Sequence, residues 1–388
     1  MQMTGVQRRL VKGLVLLTAG MAAVQPFGWD GLTSVLLAAS FPMVAALWIV
    51  TTGKQLTGRD LWVLGTLALA AIAVLTELVV RRVLFSFGYF KKLVMFAATL
   101  LFFSVAGRLQ NTASLRGFVA KVAMALAAVF WAAFLFRRDA MYLHQGAVSA
   151  YLTMGFTNPN LAALFLSMTA MLLACRAKET GRWVLYGAAA AMAYLAVLTK
   201  ARNVLVALAV FGLLLPGKRQ RLRFPGIWAW SPLVLAMLYL ILVRQPFVQQ
   251  MLQFLTEEGK SLDSRVEIWE GAMQMVARWP LLGAYGGISG GTGVSQMHNS
   301  HLDVAASYGV PVLVSVCTLL RQWLKAGRGV YGIGFLGAVL LGFGEAAVFS
   351  GGLGIYIFAG VFLLLAKEED HAIGVHQQLF QSPSETAV

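Results

Sequence analysis

The chemistry in this sequence rests on a handful of residues. His298 and His301 stand three apart in Met297-His298-Asn299-Ser300-His301-Leu302-Asp303. An imidazole accepts a proton near neutral pH, which suits it to general-base work. The spacing differs from the i, i+4 histidine pair that grips zinc on a helix, so no metal is expected here. Arginine is the second ingredient. Arg202 lies in Thr199-Lys200-Ala201-Arg202-Asn203, a polar interruption between apolar runs, and Arg265 follows Asp263-Ser264 at the start of a predicted helix. A guanidinium close to a helix N-terminus suits an oxyanion, because its fork binds two oxygens at once and it stays charged. A third polar segment, Gly155-Phe156-Thr157-Asn158-Pro159-Asn160, joins a turn to a helix start, where Asn158 is either a cap or a binding group.

Arginines and a lone base, with neither a nucleotide-binding glycine loop nor a carboxylate cluster for Mg²⁺, fit a donor already activated by phosphate. Positive charge would stabilise a diphosphate leaving group, and the histidine would take the proton of an attacking hydroxyl. No cofactor is required. A donor carried on a lipid would explain why such a site belongs in a membrane.

The elements that must position these groups are membrane helices. Of 388 residues, 59% are apolar and only 12% charged, against about 25% charged in soluble domains. Hydropathy gives about twelve spans, at roughly 10–25, 32–50, 61–80, 93–107, 117–136, 159–175, 183–198, 203–215, 226–243, 304–320, 329–343 and 353–366. The expected fold is therefore all-α: one polytopic membrane domain over 1–388, with a single large loop at 244–303 between helices 9 and 10. Within that loop Val266, Trp269, Met273 and Val276 recur on one helical face. The N-terminal apolar run reads as a retained first helix rather than a signal peptide, because no small-residue cleavage site closes it. The polar segment 367–388 reads as a disordered cytoplasmic tail. Cys175 and Cys317 read as packing thiols.

The net charge of +15 is read as topology rather than as nucleic-acid binding. Placing the N-terminus inside puts most short basic loops inside and both termini in the cytoplasm. The cations left outside include Arg81, Arg82, Lys91, Lys92, Arg137, Arg138, Lys200, Arg202 and Arg265. As a group they point to an anion held at the outer face, and all the polar segments above fall on that face. A transporter or lipid flippase would instead concentrate polar residues near the bilayer midplane.

Taken in order, the motifs resemble those of the O-antigen ligase and polymerase superfamily of bacterial inner membranes. The matching pieces are Asn158-Pro159-Asn160, Thr199-x-x-Arg202, Arg265-x-x-x-Trp269 followed by Pro280-Leu281-Leu282-Gly283, and His298-Asn299 followed by Gly309. Two positions depart from the pattern: Lys200-Ala201 stands where the family often has a serine, and His301 where it often has an aromatic. The resemblance implies a GT-C-like membrane glycosyltransferase, in which an undecaprenyl-diphosphate-linked glycan is the donor. Its acceptor would be lipid A–core, with membrane lipids as surroundings and a monomer as the working state. It further implies metal-independent, inverting transfer at the periplasmic face of a Gram-negative inner membrane. On it, His298 is the base and Arg202 and Arg265 hold the diphosphate. Lys200, Asn158, Asn160, Arg81, Arg82, Arg137, Arg138, Asn299 and His301 are carried as candidate substrate-binding residues. A polymerase, or a protein O-oligosaccharyltransferase, would use similar site chemistry.

Overall fold

The computed structural model describes residues 1–53, 55–80, 87–110, 113–145, 149–217, 222–247, 263–284, 297–346, 349 and 354–366. The candidates Arg81 and Arg82, and the expected tail at 367–388, lie outside the described residues. The described chain is almost wholly helical. Its first six helices are α1 (Gly5–Val24), α2 (Asp30–Thr52), α3 (Gly58–Val79), α4 (Phe87–Ala106), α5 (Ala113–Phe136) and α6 (Pro159–Thr180). There follow α7 (Trp183–Leu198), α8 (Arg202–Leu214), α9 (Pro225–Leu242), α10 (Asp263–Arg278), α11 (Ser300–Tyr308), α12 (Val310–Ala326), α13 (Gly329–Leu341) and α14 (Ile355–Leu365). The hydropathy reading missed a short antiparallel hairpin between α5 and α6, β1 (Tyr142–Gln145) with β2 (Ser149–Leu152).

Burial separates two kinds of helix. In α2, Thr33, Leu37, Ser40, Val44, Leu47 and Thr51 are buried at spacings of three and four, while Val35, Ile49 and Val50 face outward. The outer side of α3 likewise presents Leu61, Trp62, Leu69, Ile72 and Leu75. Such a large apolar exterior would be a liability in water and is the expected surface in lipid. Six described helices, α1, α2, α3, α5, α6 and α9, are long and apolar enough to cross a bilayer. By contrast, α13 and α14 are apolar all round, and α14 is buried along its whole length. A helix hydrophobic on every side belongs in a core. The 11 residues of α14 span only about 16 Å, yet it is surrounded by protein: it packs on α1, α4, α6 and α13.

Each apolar run read from the sequence falls on a helix, with one correction. The tenth, expected to be continuous over 304–320, is broken at Gly309 into α11 and α12, and the preceding loop ends earlier than expected because α11 starts at Ser300. Gly309 has φ 92° and ψ 168°, a conformation open in practice only to glycine. A Cβ there would sit 2.3 Å from the Leu281 carbonyl oxygen. Gly283 (φ 65°) makes the reciprocal approach, its pro-Cβ position 2.6 Å from the backbone of Ser307. The Ala284 and Val310 amides then donate to the Ala306 and Pro280 carbonyls, at 2.7 and 2.8 Å. The Pro280-Leu281-Leu282-Gly283 segment is thus a backbone-to-backbone clamp on the α11–α12 break. Prediction: Gly309→Ala should destabilise the protein by at least about 1–3 kcal/mol, read as a lower Tm in detergent. Gly187→Ala, at a helical glycine with open space around it, should leave Tm essentially unchanged. Equal Tm values for the two variants would show that the break needs no glycine.

Candidate active site

Among the described residues, three of the four non-glycine residues with positive φ fall in or beside the motifs: Met154 (51°), Lys200 (57°) and His298 (47°). Backbone held in this region persists where its surroundings over-determine it, which is common at functional sites.

The His298 turn is fixed by Asn299. Its Oδ1 accepts from the His301 and Leu302 amides, both at 3.0 Å, which caps α11. Its Nδ2 donates to the carbonyls of Pro232 in α9 and Phe343 after α13, at 2.9 and 3.0 Å. Asn299 is fully buried, so its role is to hold the turn rather than to face an open cavity. The Ser300 amide donates to the Gly342 carbonyl at 2.8 Å, and its hydroxyl to the Glu345 carbonyl at 2.9 Å. The 342–345 turn is therefore stitched to the residues that follow His298.

On that turn stands the residue that sequence reasoning passed over. The Glu345 carboxylate lies 3.2 Å from His298 Nδ1 through each of its oxygens. It also accepts a hydrogen bond from Asn160 Nδ2, and Arg265 lies 3.9 Å from its Oε1. Glu345 is almost wholly buried, whereas His298 and Arg265 each keep 27% of their side chains exposed. The arrangement thus has a sealed carboxylate at its base and a base and a cation at its open side. A signal was available. Glu345 is the only charged residue from Gly329 to Ala366, and an ionisable group in so apolar a stretch is a functional candidate.

The other motifs acquire local reasons. Asn158 caps α6 by accepting from the Asn160 amide at 2.8 Å, with Pro159 at the first helical position. Asn160 is the member of the pair that reaches the site. In Arg265-x-x-x-Trp269 the two residues share one face of α10. Trp269 is buried, donates from Nε1 to the Met297 carbonyl at 2.8 Å and packs against Tyr239 and Phe343. It belongs to a small separate core with Ala236, Leu240, Ala272, Met297, Leu302 and Ala306. One anchor thus fixes both the helix bearing Arg265 and the residue before His298.

At the break between α7 and α8, Thr199 is buried. Its hydroxyl donates to the Ala196 carbonyl at 2.7 Å and accepts from the Ala201 amide at 3.3 Å. These bonds satisfy backbone that the break would leave open. Lys200 projects outward with its ammonium 5.3 Å from the Tyr151 ring centroid. Arg202 opens α8, and its side chain lies outside the described part of the structure.

Three further candidates have other surroundings. Arg137 donates to the Pro26 carbonyl at 2.6 Å and lies over the Phe27 ring, which ties the end of α5 to the α1–α2 turn. Arg138 is exposed in the short turn after α5. His301 is fully buried, with Nε2 2.8 Å from the Ala229 carbonyl. Lys92, counted among the unexplained cations, is paired inside the protein with Asp303 at 2.9 Å and Ser307 at 2.8 Å. Both cysteines are free and buried.

Residues 187–317 match the family model described as O-antigen ligase, so this segment is similar to the O-antigen ligase and polymerase superfamily. No curated protein matches the chain. The similarity supports ligase- or polymerase-type function in lipopolysaccharide biosynthesis, and the six long apolar helices fit a multi-pass membrane protein. Arg202, Arg265 and His298 fall inside the matched segment; Asn160 and Glu345 fall outside it.

Proposed function

We propose that this protein is a ligase that moves O-antigen glycan from undecaprenyl diphosphate to a sugar hydroxyl of lipid A–core, at the periplasmic face of a Gram-negative inner membrane. The observation that carries the reading is the pairing of a partly exposed histidine and a partly exposed arginine on one buried carboxylate. The orientation is supported by charge. The short loops rich in Lys and Arg, at 108–116, 176–182 and 217–223, lie at the chain ends of helices opposite to those that carry Asn160, Lys200 and His298.

In this reading the acceptor hydroxyl approaches His298 Nε2. Its oxygen bonds to the anomeric carbon of the donor while its proton passes to Nε2. The bond from that carbon to the diphosphate oxygen breaks, and its electron pair leaves on undecaprenyl diphosphate. Attack from the face opposite the leaving group inverts the anomeric centre. Arg265, with Arg202 at the start of α8, offsets the negative charge growing on the diphosphate, and the imidazolium afterwards loses its proton to water. Charge stabilisation comes from guanidinium groups, so the reaction as written requires no metal.

The test is reconstitution of the purified protein in vesicles with a polyprenyl-diphosphate-linked glycan and lipid A–core. Glycan joined to lipid A–core is the expected product. Longer glycan still on the polyprenyl carrier would make the protein a polymerase, and glycan on neither acceptor would sink the reading.

A further inference from the structure

We infer that Glu345 is the positioning residue for His298: its carboxylate selects the imidazole tautomer and steadies the imidazolium formed during transfer. The inference rests on the proposed ligase reading and deepens it. A neutral imidazole carries one N–H. A carboxylate 3.2 Å from Nδ1 through both oxygens accepts that hydrogen, which places the proton on Nδ1 and leaves the Nε2 lone pair bare. Nε2 has no hydrogen-bond partner among the described residues. The same tautomer logic orients histidine bases in other active sites, where the carboxylate holds the ring and stays ionised.

The carboxylate can do this because it cannot turn away. Asn160 donates to Oε1, and Arg265 lies within ion-pair reach of the same oxygen. The Glu345 carbonyl is held by Ser300 and the neighbouring Phe343 carbonyl by Asn299. The residue that carries His298 on the chain is therefore joined to the residue that orients its ring. Among the described residues, the charged groups placed with His298 are Glu345 and, across the same carboxylate, Arg265. The Lys92–Asp303 pair lies behind it, Asp303 Oδ1 being 3.4 Å from the Met297 amide. Glu345 is thus the one anion in direct contact with the ring among the described residues. Asn160 takes its place in the site through this carboxylate rather than through substrate.

The step balances as follows. The acceptor's proton moves to Nε2, the ring becomes a cation with a hydrogen on each nitrogen, and the ionised Glu345 offsets that charge without accepting the proton. On return of the Nε2 proton to water the starting tautomer is restored.

The test uses the full chain. Glu345→Gln keeps the shape and removes the charge. Transfer at the pH plateau should fall about ten- to a hundredfold. The loss should fall on kcat rather than on KM, because the carboxylate acts on the ring and not on the substrate. Glu345→Asp should recover part of the rate. A structural role alone would lower the active fraction and leave the ring tautomer unchanged. A second measurement is independent of the substrate. Nitrogen NMR of ¹⁵N-histidine-labelled protein should show neutral His298 protonated on Nδ1 in the wild type, and the two tautomers mixed in Glu345→Gln, whose amide can donate to Nδ1 as well as accept from it. A wild type that fails to transfer glycan yet shows this tautomer difference would sink the ligase reading and keep the pair. Identical tautomers in the two proteins would sink the pair even in an active ligase.

Discussion

His298→Ala should lower glycan transfer by on the order of 10²–10⁴-fold while the protein stays folded. The magnitude is that of losing a general base whose partner, the acceptor hydroxyl, is a poor nucleophile until its proton has somewhere to go. Among the described residues the His298 side chain bonds only to Glu345, and its turn is held by Asn299 and Ser300. The fold should therefore survive the truncation. His298→Asn is the fitting companion, because asparagine tolerates the positive φ of 47° found here better than alanine does. Both variants should show near-wild-type Tm in detergent and the same loss of transfer. A folded variant of either kind with wild-type transfer would remove His298 from the chemistry.

Lys92→Met should be the most damaging single change to stability. The ammonium of Lys92 is 11% exposed and meets an Asp303 side chain that is fully buried. Removing one partner of such a pair leaves an uncompensated buried charge and costs about 3–5 kcal/mol. The second carboxylate oxygen of Asp303 is already without a hydrogen-bond partner among the described residues, so the anion has no reserve. The sign of the double change is the informative part. Lys92→Met combined with Asp303→Leu removes both charges and should recover most of the lost Tm, since an apolar pair of similar volume is commonly as stable as a buried ion pair. A double variant no better than Lys92→Met would mean that the pair matters through its shape rather than its charge. Because Asp303 also accepts from the Met297 amide at 3.4 Å, transfer should fall with Lys92→Met even in the fraction that remains folded.

The helices were legible because the signal that defines them is local. An apolar run in a chain this poor in charge has few other uses, and each run found its helix. The tenth run was misread because a break at one glycine is invisible to hydropathy: Gly309 interrupts the helix through a clash with Leu281, a residue outside the run. The hairpin before α6 was missed for the opposite reason. Four-residue strands are too short to show a period, and their sequence is neither apolar enough nor polar enough to stand out. His298, Arg265 and Asn160, singled out by type and setting, meet on the Glu345 carboxylate in the fold. What could not be read was which of the neighbouring polar residues face one another. Asn158 and Asn299 stand as binding candidates in sequence, and in the fold the side-chain oxygen of each caps a helix. Asn160 differs from Asn158 only in reaching Glu345, 185 residues away. Glu345 itself was visible as an isolated charge in an apolar stretch, but only the fold gives it a partner.

That long reach has a consequence for when the protein becomes competent. Ribosomes deliver a chain from its N-terminus, and helices enter the membrane in that order. Every stage before residue 345 leaves His298 with an unrestrained ring, Asn160 with no acceptor for its amide, and Asn299 short of the Phe343 carbonyl. The matched segment 187–317 therefore holds His298 and Arg265 without the Glu345 carboxylate on which they meet. On the ligase reading, competence would arrive late, when the turn after α13 docks and brings Glu345 to His298 and Asn160. A partly inserted chain among its carrier lipids would stay chemically silent until then.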